Sequence, residues 1–332
     1  MAASNKITWI SVLKGFNILL VLCMNDYLVD MSTGSNHLFL SGFKAYYEPW
    51  YMALFIFTSG FLLQLSRIRK GYSVKILYID KVKRIVVPFV FFVTVFYLAK
   101  IAMAPFIKTA VPLSLTEYLK SFVYYRGYSS EMLWFLPVLF ESMLLYPLYL
   151  WLEKNVVRMV VFLLVLVGFY CLDLPIFSDY NVFYIFYINK YLIFFFVGIL
   201  FCRYELYRYL DKVWISALSI VVYSLVYYFT DLYLVIQLLG IVMAVSISMT
   251  VSRVLPNLFS SFRDYIYQIY LMSLFFQCFV EIVLWKQLFY NESLFYIFYL
   301  LNILLGIYGP VLVSKCVERV PNKYIRLCFG LK

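Results

Sequence analysis

Lys14, Glu141 and Glu281 each stand inside a run of apolar residues, and these three ionisable side chains are the first to point to chemistry. A charge within hydrocarbon is expensive, so such a residue is by default a site residue whose partner has to be found. Lys14 lies about two turns into its run, where it can hold a phosphate or a carboxylate, or else snorkel along its own stem to the headgroups. Glu141 follows the sequence Leu133-Trp134-Phe135-Leu136-Pro137 by one turn and invites a cation from another span. Glu281 lies near the outer end of its run, where a solvated interfacial position is expected. The loop 66–84 sets Arg67, Arg69, Lys70, Lys75, Lys81, Lys83 and Arg84 against a single acid, Asp80. Short loops this basic stay on the cytoplasmic side.

The elements that must position these groups are apolar helices. With 65% hydrophobic residues, 22% aromatics and only 14% charged, a water-soluble fold has no means of covering its apolar surface. The chain is expected to be an all-α polytopic membrane protein, a single integral-membrane domain over 1–332. Ten apolar runs approach the length of a crossing: Ile7–Tyr27, Pro49–Leu65, Ile85–Met103, Leu133–Trp151, Val156–Tyr170, Tyr191–Cys202, Val213–Thr230, Leu232–Met249, Tyr265–Trp285 and Ser293–Val313. The fifth and sixth are short, and the sixth can begin as early as Tyr184. The first run contains Lys14 and is not followed by a small-x-small site, so it is expected to be a retained span.

Ten spans with both termini cytoplasmic put most of the 28 basic residues on the inner side. The net charge of +11 is therefore explained by topology, and with no groove-tracking basic stripe nucleic acid is not an expected partner. The longer segments, Leu28–Tyr47 and Ile107–Glu131, then face outward and are where a polar headgroup would meet the protein. Six cysteines fall singly, without a CxxC pair, and support neither a disulfide framework nor a zinc site.

Several motifs, in order along nearly the whole chain, resemble the acyltransferase-3 family of integral-membrane O-acyltransferases. They are Ile10-Ser11-Val12-Leu13-Lys14-Gly15-Phe16-Asn17, Met52-Ala53-Leu54-Phe55-Ile56-Phe57-Thr58-Ser59-Gly60, Lys81-Val82-Lys83-Arg84-Ile85-Val86-Val87-Pro88, Leu133-Trp134-Phe135-Leu136-Pro137, Tyr267-Gln268-Ile269-Tyr270-Leu271 and Gly309-Pro310. The resemblance implies about ten spans and transfer of an acyl group, acetyl being the simplest, from acyl-CoA to a cell-surface glycan or a lipid-linked saccharide. Acyl-CoA would be a co-substrate, with no bound cofactor, and the bacterial cytoplasmic membrane is the implied location. Arg67, Lys83 and Arg84 would meet the phosphates of coenzyme A by analogy, and Trp134, Glu141 and His37 would contribute to substrate binding.

In the family, a basic residue on the first span is usually followed eleven positions later by His. Lys14 takes the basic place here, and Asn25 the place of His. Eleven helical residues rise about 16 Å, which suits a donor approached from the cytoplasm and an acceptor from outside. Tyr51 and Ser273 stand at two further positions where relatives often carry His, and Ser11 replaces a common acid. An amide cannot abstract a hydroxyl proton near neutral pH, and losing a general base typically costs about 10²–10⁴ in rate. Asp26, Asp30 and His37 are the substitutes at hand. A carboxylate taken out of water can act as base, but a helix-end acid facing water is the ordinary expectation for Asp26. Two functions follow: a membrane O-acyltransferase with Lys14, Asn25 and Asp26 at the reaction site, or a catalytically silent member acting in polysaccharide export or assembly.

Overall fold

The computed structural model describes residues 8–31, 36–102, 104, 112–124, 130–172 and 182–331, and every regular element among them is helical. In chain order the α-helices are α1 (Thr8–Met24), α2 (Leu28–Met31), α3 (Asn36–Tyr47), α4 (Tyr51–Leu63), α5 (Val74–Lys81), α6 (Val87–Ala102), α7 (Leu115–Val123), α8 (Phe135–Leu144), α9 (Tyr146–Leu152), α10 (Val156–Cys171), α11 (Ile185–Arg203), α12 (Val213–Phe229), α13 (Tyr233–Val254), α14 (Ile266–Cys278), α15 (Phe295–Glu318) and α16 (Lys323–Cys328). Three π-helical stretches, Gln64–Ile68, Val82–Val86 and Phe279–Leu288, extend or join them. Helices suit a lipid interior because each satisfies its own backbone polar groups.

Each of the ten apolar runs falls on a helix, but fewer have the length to cross. Among the described residues six helical stretches are long and apolar enough, or up to seven when α8 and α9 are taken as one span bent by 48°. α1, α10 and α12 are the shorter apolar helices that account for the difference from ten. The bend before α9 falls where Pro147 occupies the first turn, since proline lacks an N–H and crowds the residue ahead of it. The described residues of the expected outer segment Leu28–Tyr47 are helical too, as α2 and α3, and α3 and α4 contribute to one stretch, Leu38–Ile68, of 31 residues. Such a helix is about 45 Å long, more than a hydrocarbon core needs. The segment Ile107–Glu131 carries α7, while its residues 107–111 and 125–129 lie outside the described set. The chain is a multi-pass integral membrane protein.

The helices form two compact units, one of residues 1–58 and 201–316, the other of 59–200 and 317–332. In the first, α1 packs on α13 and α14, and α13 packs on α12. Close approach of α1 is permitted by Gly15, where a Cβ would run into the Phe259 ring, 2.6 Å from its Cγ. Phe259 itself holds a left-handed φ of 66°, a conformation that costs an ordinary residue about 1–2 kcal/mol and that packing must offset. Between α12 and α13, Ser219 meets Ser246 at 2.9 Å and Ser216 meets Thr250 at 2.8 Å. Interhelical bonds of this kind contribute about 0.6 kcal/mol each in a membrane.

In the second unit α6 packs against α7 and α16, and the Val82–Val86 stretch packs against α8. Gln64, 1% exposed, donates to Glu153 at 2.9 Å, and the buried Tyr146 hydroxyl donates to the Tyr72 carbonyl at 2.9 Å.

Gly240 on α13 gives a direct test of the packing in the first unit, because a Cβ there would overlap the buried Trp50 indole. Gly240→Ala is expected to destabilise by about 1–3 kcal/mol, the usual cost of overpacking. Gly168→Ala on α10 meets nothing within 4 Å and should hold or raise stability by up to about 1 kcal/mol through helix propensity. Thermal midpoints of the two variants in one detergent check this; equal midpoints would mean that Trp50 and α13 are not packed as described.

Candidate functional site

The first helix ends inside the protein, and its end is where polar side chains converge. The last helical turn closes with the Asn25 amide donating to Val21 O at 3.0 Å, after which the chain turns into α2. Asp26 is wholly buried, and its Oδ1 accepts from the Leu28 amide at 2.9 Å, in the manner of a helix N-cap. Leu22 O, left without an intrahelical donor at the helix end, accepts from Gln277 Nε2 at 2.9 Å. The peptide group between Asp26 and Tyr27 is held on both sides. Lys44 Nζ donates to its carbonyl oxygen, and its N–H donates to Glu281 Oε1 at 3.0 Å. The same Glu281 oxygen accepts from Asn302 Nδ2 at 3.0 Å.

Burial overturns two sequence expectations. Glu281 is 1% exposed instead of interfacial, and Asp26 is fully buried instead of facing water. The physical reason is that the chain folds back after α1, so that α3, the Phe279–Leu288 stretch and α15 bring polar groups to the turn that would otherwise be supplied by water. Glu281 sits on that π-helical stretch, a geometry that is rare and concentrated at functional sites. Cys23 and Tyr299 are hydrogen-bonded through their side chains, and Tyr47 is buried nearby. The Tyr47 hydroxyl, Gln277 Oε1 and Asn302 Oδ1 are buried with no hydrogen-bond partner among the described residues.

The other expected residues of this unit lie along the same helices. Lys14 is half-buried on α1, eleven residues before the half-buried Asn25. Asn17, 2% exposed, ties α1 to α4: with its amide nitrogen toward Tyr51 O (3.0 Å) its oxygen meets the Phe55 amide (3.1 Å). Tyr51 thus enters α4 beside α1, its ring edge-on to Tyr47 with centroids 6.2 Å apart. Ser273 is buried on α14, which packs against α1. His37 lies on α3, and its side chain is outside the described set.

The second unit holds the remaining candidates. Arg67 is engaged by its own loop: Nη2 lies 3.3 Å from Asp80 Oδ2, and the guanidinium stacks 3.9 Å from the centroid of Tyr72. Lys83 and Arg84 are exposed on the Val82–Val86 stretch. Trp134 stacks on Tyr187 with centroids 4.0 Å apart and planes at 17°, and also meets Tyr191. Glu141 is half-buried on α8, and no cation pairs with it among the described residues.

Sequence reasoning missed Asn302, Gln277 and Lys44. Asn302 and Gln277 carried a signal, a lone carboxamide within an apolar run, which in a membrane helix deserves the same question as a charge. Lys44 looked like one more loop cation.

Taken together, the arrangement is a buried carboxylate beside an amide at the end of one helix, with a cation about three turns earlier on that helix. It can take a proton from a hydroxyl at one end and meet an anion at the other. No curated protein and no solved structure matches the chain. A family model described as an acyltransferase domain, of the acyltransferase-3 type, matches residues 7–314, and the chain therefore belongs to that family.

Proposed function

We propose that this membrane acyltransferase moves an acyl group, acetyl in the simplest case, from acyl-CoA on the cytoplasmic side to a hydroxyl of a cell-surface glycan or lipid-linked saccharide. The protein sits in the bacterial cytoplasmic membrane with both termini inside. The observation that carries the reading is the burial of Asp26 next to Asn25, at the position where the family resemblance puts the catalytic base. A carboxylate set beside the acceptor hydroxyl can serve as general base, so the missing imidazole does not by itself end the chemistry.

In the proposed reaction the Asp26 carboxylate accepts the proton of the acceptor hydroxyl as its oxygen attacks the thioester carbonyl. The tetrahedral species collapses with cleavage of the C–S bond, the ester forms, and the coenzyme A thiolate leaves and is protonated. Asp26 passes on the proton it took and is ready for the next turn. Asn25 lies beside it and can donate a hydrogen bond to the developing oxyanion through its amide. Lys14 orients the donor through a phosphate or carbonyl oxygen, and the exposed Lys83 and Arg84, with Arg67, meet the nucleotide phosphates. Trp134, Tyr51, Ser273, Glu141 and His37 are assigned to substrate contact.

The replacement of histidine at positions 25, 51 and 273 favours one other reading, a silent member that serves glycan export. Coenzyme A release from acetyl-CoA, with acceptor O-acylation followed by mass spectrometry, separates the two in membranes carrying the chain. Asp26→Asn is expected to lower turnover by about 10²–10⁴, the typical value of a general base. Lys14→Ala should act mainly on KM for acetyl-CoA. Release indistinguishable from that of an empty membrane would remove the enzymatic reading. A second expectation concerns Asn25: adding Asn25→His to Asp26→Asn should recover part of the lost rate, because the imidazole then stands one residue away. A double variant as slow as Asp26→Asn would place the reacting hydroxyl elsewhere.

A further inference from the structure

We infer that Lys44 and Glu281 are positioning residues that act as one clamp on the Asp26–Tyr27 peptide and so fix where Asn25 and Asp26 point. The inference rests on the reading of Asp26 as the base, and neither Lys44 nor Glu281 is assigned contact with substrate. Three observations converge on it. The peptide is gripped at both of its polar atoms by side chains of opposite charge, Lys44 on its oxygen and Glu281 on its N–H. Glu281 is itself held by Asn302 and is 1% exposed, so its carboxylate is presented to the turn from a fixed interior position. The gripped peptide lies where regular structure changes over: α1 has ended, and α2 has only four residues.

The chemistry of the clamp is that of a polarised amide. An ammonium on the carbonyl oxygen draws electron density from the nitrogen and strengthens its N–H as a donor, and a carboxylate on the N–H does the reverse for the oxygen. Each charge therefore strengthens the bond made by the other, as in a short cooperative chain. Bonds in which one partner is ionised are about twice as strong as neutral ones. Removing either charge should loosen the same turn, and removing both should add little. A general base displaced by about 1 Å loses on the order of a hundredfold in rate, so a loosened turn is visible in turnover even where the fold survives.

The test uses the full chain in proteoliposomes, with two readouts. Amide hydrogen exchange of peptides covering residues 22–30, followed by mass spectrometry, reports the clamp directly; acetyl-CoA turnover per folded protein reports its consequence. Glu281→Ala and Lys44→Met should each speed exchange in that segment at least about tenfold and lower kcat by a comparable factor, leaving KM for acetyl-CoA within about twofold. Glu281→Gln can still accept from Tyr27, and Lys44→Arg can still donate to Asp26, so both should return part of the way to wild type. The Glu281→Ala/Lys44→Met double variant should be no slower than the slower single one, since the two residues act as a unit. Unchanged exchange at 22–30 in both single variants would overturn the clamp, as would kcat losses that multiply in the double variant. Failure of the base reading has a different signature: Asp26→Asn would keep the wild-type rate. Failure of the clamp alone leaves Asp26→Asn inactive while Glu281→Ala and Lys44→Met retain their kcat.

Discussion

A helix that stops inside a membrane protein must find partners for the backbone groups that its next turn would have satisfied, and the end of α1 is such a place. In water these groups are hydrated; in hydrocarbon each one left unmet costs several kcal/mol. Here side chains meet them. Gln277 takes the Leu22 carbonyl, Lys44 the Asp26 carbonyl, Glu281 the Tyr27 amide, and Asp26 the Leu28 amide. A cation at the carbonyl-rich C-terminal end of a helix also meets the negative end of its dipole. The polar cluster thus exists first as a cap. Satisfying a helix end in this way also brings the Lys44 ammonium, from a distant part of the chain, onto the backbone beside the Asp26 carboxylate and the Asn25 amide.

This constraint organises the elements around α1 as well. Gly15 and Asn17 let α1 approach its neighbours, the one by lacking a side chain that would strike Phe259, the other by bridging to the backbone of α4 at Tyr51 and Phe55. The junction of α3 and α4 is pinned from α12 and α13. The Tyr223 hydroxyl donates to Tyr46 O, Tyr227 to Ala45 O at 3.0 Å, and Gln237 to Pro49 O at 2.8 Å. With Tyr46 and Pro49 fixed, Lys44 and Tyr47 are carried to the end of α1 on a rigid segment. The tyrosines are specific in this corner, because their hydroxyls bond carbonyls where α3 gives way to α4.

What the sequence disclosed is the part governed by local rules. Apolar runs and the basic loop after α4 were readable because length, hydropathy and charge sign act over a few residues. The number of crossings was not, since a run such as Thr8–Met24 or Val213–Phe229 satisfies a composition window while falling short as a helix. The site was half legible. Lys14 stood out as a charge in an apolar run, and Asn25 and Asp26 through the resemblance of the first span, but Glu281 meets Tyr27 across 254 residues of sequence, and no periodicity announces a pairing at that distance. Depth is what a single segment hides. A glutamate late in an apolar run reads as interfacial because nothing in its own segment shows that other helices close over it.

The second unit sharpens the distinction between charge that is fixed and charge that can respond to a ligand. Arg67 is held by Asp80 and by the face of Tyr72, whose hydroxyl also donates to Asp80 at 3.2 Å. A phosphate arriving there competes with contacts already made, and Lys83 and Arg84 lie exposed on the π-helical stretch that precedes α6. Exposed charges lose less of their own hydration on meeting an anion than buried ones must surrender on folding, and their attraction is correspondingly screened by salt. At the end of α1 the opposite logic holds. There Glu281 is buried, and both it and Lys44 are tied to backbone, so they contribute geometry in place of capture.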